Sequence, residues 1–455
     1  MATPRTEPPA LRAVLQWPAL RLQAGTAALV VAAAAVISGS VEPRASLLVL
    51  CALLAVAGTI VLSVARPAFL FAVAFALLGV VLTEPAPVDL VFALLMVTTI
   101  FGGKVEPHMP LAIRALVGLT VLVSLLSVVN AVDGRRAAQY LFVSVYLLAL
   151  AIWLTWAFGN ARATRYALGA YLVIGVFSSV AVVLALYAGL PGGATLLYDP
   201  SRGKGLFQDP NVFAAFLVPI AAITLEEIGR PRLFAWKRRY AVMAFVATAA
   251  GSIVAFSRAG WLNLALACGV VIAVSALRRG GVIPALRAVG ALALAGLLGF
   301  VLLTVTGSLD FLQQRSQIES YDQQRFGAQS SAFGRIGDHV LGHGPGQVER
   351  SLEISTHSLY ARAAFEQGVP GLLLIVLLLF ATLYCAVAFA RADGHVHGVG
   401  SAALLGCWLG LMMSSFFIDT IHWRHLYIVA ALIWLGYVST RRAPLLPSTA
   451  TPADP

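Results

Sequence analysis

Apolar runs about 17 to 25 residues long recur along the chain with only short polar links between most of them, and this recurrence leaves few folds open. A bilayer core ~30 Å thick takes one helix of that length, and lipid offers no partner to unpaired backbone. The chain therefore reads as an all-α, polytopic integral membrane protein with about 12 to 14 transmembrane helices. Spans are expected near residues 24–40, 45–65, 67–83, 87–102, 111–129, 139–158, 167–189, 211–225, 240–257, 260–277, 288–306, 369–390, 398–418 and 425–439. Composition agrees: 60% of the 455 residues are hydrophobic and 11% are charged, against about 25% charged in a soluble domain.

The formal net charge of +11 comes from 31 Lys+Arg and 20 Asp+Glu. These cations are scattered between apolar runs and form no stripe, which excludes nucleic acid as a partner. Cys51, Cys268, Cys385 and Cys407 all lie in apolar stretches without CxxC spacing, so neither a disulfide framework nor a zinc site is expected.

Residues 1–23 carry Arg5, Arg12 and Arg21 with Pro8, Pro9 and Pro18 and lack a convincing cleavage site; they read as a cytoplasmic tail. Residues 24–439 form the membrane domain, and the Pro-rich end, 440–455, reads as a disordered cytoplasmic tail. With both termini placed inside, 18 basic residues fall on the cytoplasmic side, 12 outside, and Arg114 within a span. The two longest connections, 190–210 and 307–368, are then extracytoplasmic. Several outside cations gather there: Arg315, Arg325, Arg335, Arg350 and Arg362 in the large loop, and Arg202, Lys204 and Arg258 on the same side. Cations where topology disfavours them fit an anionic ligand at the membrane surface, with solvated loop surface as the alternative.

Three elements could carry chemistry. In Ser201–Asn211, two glycines flank Lys204, so backbone amides and the cations of Arg202 and Lys204 can approach an oxyanion, and Asp-Pro-Asn is a helix-start signal. The alternative is a turn with snorkelling cations. Arg258, in Ser-Arg-Ala-Gly-Trp between two spans, places a guanidinium at the outer interface, where it fits pyrophosphate bidentately or snorkels. The third element runs from Gly342-His343-Gly344-Pro345-Gly346 through Thr356-His357-Ser358-Leu359-Tyr360 to Glu366-Gln367-Gly368. Helical spacing from His357 puts it on one face with Tyr360, and puts Arg362 and Glu366 one turn apart on another. Among the loop histidines His339, His343 and His357, only the last sits in a helical pattern leading to a span. A further outside cluster, Asp419, His422, Arg424 and His425, offers rival catalytic or acceptor-binding groups.

The elements Gly-Leu-Phe-x-x-Pro-Asn at 205–211, Ser-Arg-x-Gly at 257–260, Gly-x-Gly-Pro-Gly at 342–346 and Thr-His-Ser-x-Tyr…Glu-x-Gly at 356–368 occur in an order that resembles the O-antigen ligase and polymerase superfamily. The resemblance covers about residues 202 to 435. It implies a GT-C-like, inverting, metal-independent glycosyltransferase of the bacterial inner membrane that takes a glycan from undecaprenyl diphosphate on the periplasmic side. By the same resemblance Arg202 and Arg258, with Lys204, would hold the donor diphosphate. His357 would be the catalytic base, with Tyr360, Arg362, Glu366 and His343 as supporting groups. The implied partners are the undecaprenyl-diphosphate-linked glycan donor, a glycan or lipid A-core acceptor, and membrane lipid. No cofactor and no metal are expected, because the outer segments show no carboxylate pair of the DxD kind. The rival reading, a transporter or flippase of lipid-linked glycan, calls for charge along a midplane path, and the spans hold little beyond Arg114 and Asp89.

Overall fold

A computed structural model describes residues 66–103, 105–278, 320–352 and 354–442, with a few isolated positions besides. The expected spans at 24–40, 45–65 and 288–306, the first tail, the chain beyond 442, Lys104 and Arg315 lie outside these residues, isolated positions apart. Twelve helices of more than one turn carry the described fold: α1 (Pro67–Leu77), α2 (Pro87–Gly102), α3 (Leu111–Ser127), α4 (Gly134–Ala157), α5 (Ala161–Tyr187), α6 (Pro210–Gly229), α7 (Arg238–Val254), α8 (Arg258–Arg278), α9 (Ser320–Gly334), α10 (Leu359–Arg391), α11 (Ser401–Ser414) and α12 (Arg424–Arg442). Among the described residues, the strands are pieces of two or three residues.

Among the described residues, six helices are long and apolar enough to cross a membrane: α3 with the turn after it, α4, α5, α6, α8 and α10. α1, α2 and α11 are shorter apolar helices. The chain is a multi-pass membrane protein. On α10, Leu373, Leu377, Phe380 and Tyr384 follow one another at helical spacing and are all exposed, a stripe suited to hydrocarbon.

The chain divides into two compact units. Met1–Glu106 with Asn160–Ile174 form the first, in which α1 and α2 pack through the edge-to-face rings of Phe71, Phe75 and Phe92, with Tyr171 against Phe75. Asp89 lies in the first turn of α2, where its carboxylate accepts from Ala86 N at 2.8 Å, so its charge is spent on the helix start.

The second unit, Pro107–Gly159 with Gly175–Pro455, holds the second half of α5 and the other helices from α3 onward. Its helices meet through residues without side chains. A Cβ on Gly406 or Gly410 of α11 would stand 2.5 Å from Ala267 O or 2.1 Å from Asn263 Oδ1 of α8, and one on Gly260 would stand 2.6 Å from Ala214 Cβ of α6. Where lipid removes the hydrophobic drive between helices, close backbone approach of this kind supplies the packing.

α10 is one helix by hydrogen bonding but breaks at Gly368, whose φ is 65°, two residues before Pro370. Pro370 has no N–H to give Glu366 O. The Gly-rich loop supplies the missing donors: Gly344 N bonds Glu366 O and His343 N bonds Phe365 O, both at 2.9 Å. Gly342 has φ 71°, and a Cβ there would lie 2.5 Å from the backbone of Glu366, Gln367 and Gly368. The Gly-x-Gly-Pro-Gly element is thus the strap over the break in α10.

Candidate functional site

The site lies at the end of the second unit where α6, α8 and α10 begin. α6 is capped by Asp209, whose side chain accepts from Asn211 N at 2.6 Å. α8 is capped by Ser257 Oγ, which accepts from Gly260 N at 3.1 Å and leaves Arg258 as the first helical residue. α10 is capped by Ser358 Oγ, which accepts from Ala361 N at 3.4 Å. Three helix starts present backbone N–H groups and positive dipole ends, which favour an anion between them.

Hydrogen bonds tie the cationic elements to the histidine. The strand Arg202–Gly203 pairs antiparallel with Leu197–Asp199, and Arg202, buried, donates from Nε to Ala255 O at 3.4 Å while lying over the Tyr198 ring at 5.5 Å. Ala255 begins the turn that ends at Arg258. Ser414 of α11 donates to Ala259 O at 3.5 Å, and the next carbonyl, Ser415 O, accepts from Leu359 N at 3.0 Å and Ser358 Oγ at 3.3 Å. His357 is the residue before that cap. Lys204 is half-buried and its N–H bonds Leu196 O at 2.9 Å; Gly205, with φ 59°, lets the chain fold against the Phe213 ring.

His357 is not one turn into a helix, as its spacing suggests. It precedes the cap with φ 45°, a left-handed conformation, because Ser358 starts the helix at Leu359. Burial, then the cation of Arg325, holds its imidazole below the ordinary 6.5; Asp209 and Asp419 oppose this and Arg362 adds to it. The ring is therefore neutral and able to accept a proton near neutral pH. Arg325 belongs to α9, where its Nη2 bonds Phe417 O and Gln329 bonds Thr356 O at 2.9 Å, so α9 is tied to the residue before His357. Tyr360 donates to Met412 O at 3.1 Å and braces α10 against α11.

Arg362 is 4% exposed and engages three carboxylates with three different nitrogens: Nη1 with Glu366 at 2.7 Å, Nη2 with Glu349, and Nε with Asp419 at 2.5 Å. The predicted one-turn pairing of Arg362 and Glu366 is present. Arg136 of α4 adds a bond to Glu349 at 2.9 Å, and both arginines lie 5.5 Å from the Tyr140 ring. Burial raises the Glu349 carboxyl, but Arg362 outweighs it and holds the group below the usual carboxylate range. Beside this cluster is a cavity of about 10 Å³ lined by residues that include Tyr140, Ser144, Arg362, Glu366, Gln367 and His422. His422 Nε2 lies 3.5 Å from Ser144 Oγ, and its ring 5.3 Å from that of Tyr140.

The other candidate histidines divide differently. His343 stacks on Phe365 at 4.1 Å with its Nδ1 3.2 Å from Phe365 O, and belongs to the strap. Burial lowers its pKa, with Arg335 and His339 adding to the effect against Phe365 O and Asp338. His339 is exposed and meets His343 edge on; His425 is buried against Trp423. Among the described residues no group of three His, Cys, Asp or Glu side chains is arranged to hold a metal ion.

Asp209, Glu349, Tyr140 and Gln367 are site residues that the sequence pattern does not single out for chemistry. Asp209 is visible only as a helix start, and the others lie in ordinary loop or helix positions.

Residues 243–376 match the O-Antigen ligase family. That stretch is similar to the family's domain. The matched stretch covers Arg258, the Gly-rich strap and His357 to Gly368, and leaves Arg202, Lys204 and the Asp419–His425 segment outside it. A search of curated proteins gave no match for the chain. The domain supports a place in the O-antigen ligase and polymerase superfamily and a glycosyl-transfer activity of that type. It implies a lipid-linked glycan and a glycan acceptor as substrates.

Proposed function

We propose that this O-antigen ligase-type protein transfers a glycan from undecaprenyl diphosphate to an acceptor hydroxyl at the periplasmic face of the bacterial inner membrane, with both termini cytoplasmic. The observation that carries the reading is the placement of His357 and the Arg202 and Arg258 turns around one set of helix starts. A base for the incoming hydroxyl and positive charge for a departing diphosphate are the two things an inverting transfer needs. His357 takes the hydroxyl proton as the acceptor oxygen bonds to the anomeric carbon. The bond from that carbon to the diphosphate oxygen breaks, and its electron pair leaves with the diphosphate, held by Arg202, Arg258 and Lys204. Arg362 and Glu366 are positioning residues that fix the first turns of α10, Tyr360 braces the same helix, and His343 secures the strap.

The test is transfer by the purified chain from a polyprenyl-diphosphate-linked glycan to a panel of acceptors: glycan repeats, lipid A core and protein. Arg202→Ala and Arg258→Ala each reduce kcat/KM by about 10²- to 10³-fold, the size of one lost charge-stabilising contact in the transition state. Lys at either position restores part of it, since the bidentate fork is lost. His357→Ala abolishes transfer and keeps donor binding. Normal transfer by all three alanine variants overturns the reading. Flux of lipid-linked glycan across vesicles by His357→Ala at the wild-type rate would favour the flippase instead.

A further inference from the structure

The loop from α6 to α7 lies at the end of the second unit away from the donor elements. Acids at this end are used inside the protein. Glu226 pairs with Arg278, Asp393 pairs with Arg230 and Arg278, and Glu227 accepts from Arg232 N, Leu233 N and Phe234 N at 2.7, 2.7 and 3.3 Å. Lys237, Arg238 and Arg239 follow one another in sequence, are exposed, and pair with no acid among the described residues. They open α7, where the positive end of the helix dipole disfavours cations. The local chain thus offers these three charges no anion.

The loop is held in one shape. The three bonds to Glu227 clamp it, and Gly398 lets the backbone pack directly on Leu233, where a Cβ would stand 2.6 Å away. Ala235 takes a left-handed φ of 52°, and after it the Trp236 ring stacks on Phe234 at 4.8 Å. Arg239 lies 4.8 Å from the Tyr240 ring, and its Nη2 donates to the Tyr240 hydroxyl at 3.0 Å. Trp236 and Tyr240 are exposed, as are Met243 and Val246, while Ala241, Ala244 and Thr248 are buried. The outer face of α7 is therefore apolar and continues from Tyr240 away from the cations. α7 returns from the far end of α6 to the start of α8, both long enough to cross a membrane. The cations stand where hydrocarbon gives way to headgroups, beside two aromatic rings that suit the same level.

We propose that Trp236, Lys237, Arg238, Arg239 and Tyr240 form a binding site for the headgroup phosphate of an anionic phospholipid in the leaflet where α7 begins. Arg238 offers a bidentate fork to the phosphate oxygens, and Lys237 and Arg239 add charge. The acyl chains lie along Met243 and Val246. A soluble anion gains the charge contacts alone, whereas the apolar face continuous with them favours a lipid. A loop already fixed in shape loses little freedom on binding. The site is apart from Arg202, Arg258 and His357 and stands whether or not the glycosyl-transfer reading holds.

The test adds phosphatidylglycerol or phosphatidylcholine to the full chain in detergent and counts bound lipid by native mass spectrometry. Wild type prefers phosphatidylglycerol by about 10- to 100-fold, and Lys237→Gln with Arg238→Gln lowers that preference by about 5- to 30-fold, as cations near an anionic surface do. Arg391→Gln with Arg441→Gln removes the same number of exposed cations from the same end and leaves the preference unchanged. Trp236→Ala keeps the charge and weakens phosphatidylglycerol binding by a smaller factor. Because the readout is a ratio taken on folded protein, a change in stability does not imitate it. Equal loss in the two double variants makes the preference a property of the overall field and overturns the site, as does a wild type that binds the two lipids alike. Inorganic phosphate that displaces phosphatidylglycerol at comparable concentration makes this a free-anion site and overturns the lipid assignment.

Discussion

Two clusters of buried charge sit at opposite ends of the second unit, and they differ in what they leave open. At the end away from the site, Arg278 donates to Ala390 O at 2.7 Å and Ser401 Oγ at 2.8 Å and pairs with Asp393 at 3.0 Å and Glu226 at 3.5 Å. Glu226 accepts from Ala403 N at 2.7 Å, Glu227 from Arg232 N and Leu233 N at 2.7 Å each, and Arg230 holds Asp393 at 2.7 Å. Every acid there is met by a guanidinium or by backbone N–H groups. At the site end, Arg362 gathers as many carboxylates, and a small cavity lined by Arg362 and Glu366 lies beside it. Similar chemistry thus stands at both ends of the bundle, and beside Arg362 it borders a small cavity. A charge cluster alone therefore says little about function; the open neighbour does.

The sharpest way to break that comparison is to remove the arginine at each end. Arg278→Met leaves Glu226 and Asp393 short of a partner and costs about 3 to 5 kcal/mol of stability, read as a lower unfolding midpoint, while the folded fraction transfers with unchanged acceptor KM. Arg362→Met destabilises comparably and also loses transfer at temperatures where the protein is folded, because three carboxylates lose the fork that fixes the start of α10. Normal transfer by folded Arg362→Met would make the two clusters equivalent.

Backbone at the strap gives a smaller effect. Gly368→Ala forces an L side chain into φ 65° with its Cβ 2.2 Å from Val340 O, and costs about 1 to 3 kcal/mol. Gly269→Ala, in α8 with nothing within 4 Å of its Cβ, is neutral or stabilising by up to about 1 kcal/mol. Thermal unfolding of the two variants checks the difference, and equal midpoints would remove the strap from the account of the site.

The smallest effect is in pH dependence. A base must be unprotonated, and burial with Arg325 holds His357 below 6.5, so transfer falls only as pH drops through a midpoint lower than that value. Arg325→Ala moves this acid limb up, and Asp209→Asn, which keeps the helix cap, moves it down. An acid limb that neither variant moves would detach His357 from the proton transfer.

Much of the fold was legible in the chain. Lipid tests each apolar run separately, so the spans at 87–102, 111–129 and 211–225 correspond to α2, α3 and α6 with small shifts at their ends. Arg362 and Glu366 pair as one-turn spacing requires. His357 was harder to place, because its conformation depends on which serine caps α10, and Thr356, Ser358 and Ser355 are all capable types. The strap was legible as glycine and opaque as purpose, since the carbonyls it serves are orphaned by the break at Gly368 and by Pro370, further along the chain.

By itself, the sequence determined that this is an all-α membrane protein and which segments bring cations and a histidine to its loop side. Hydropathy and helical spacing are local sums, readable without knowing what packs on what. Only the tertiary structure decided that Arg362 of α10 would collect Glu349 and Asp419, that Asp209 at the start of α6 would lie within the field of His357, and that Gln367 would line a cavity. Those relations join residues on different helices, where glycine contacts and capping bonds set the distances, and an electrostatic or hydrogen-bonding partner follows from distance and carries no periodic mark in the chain.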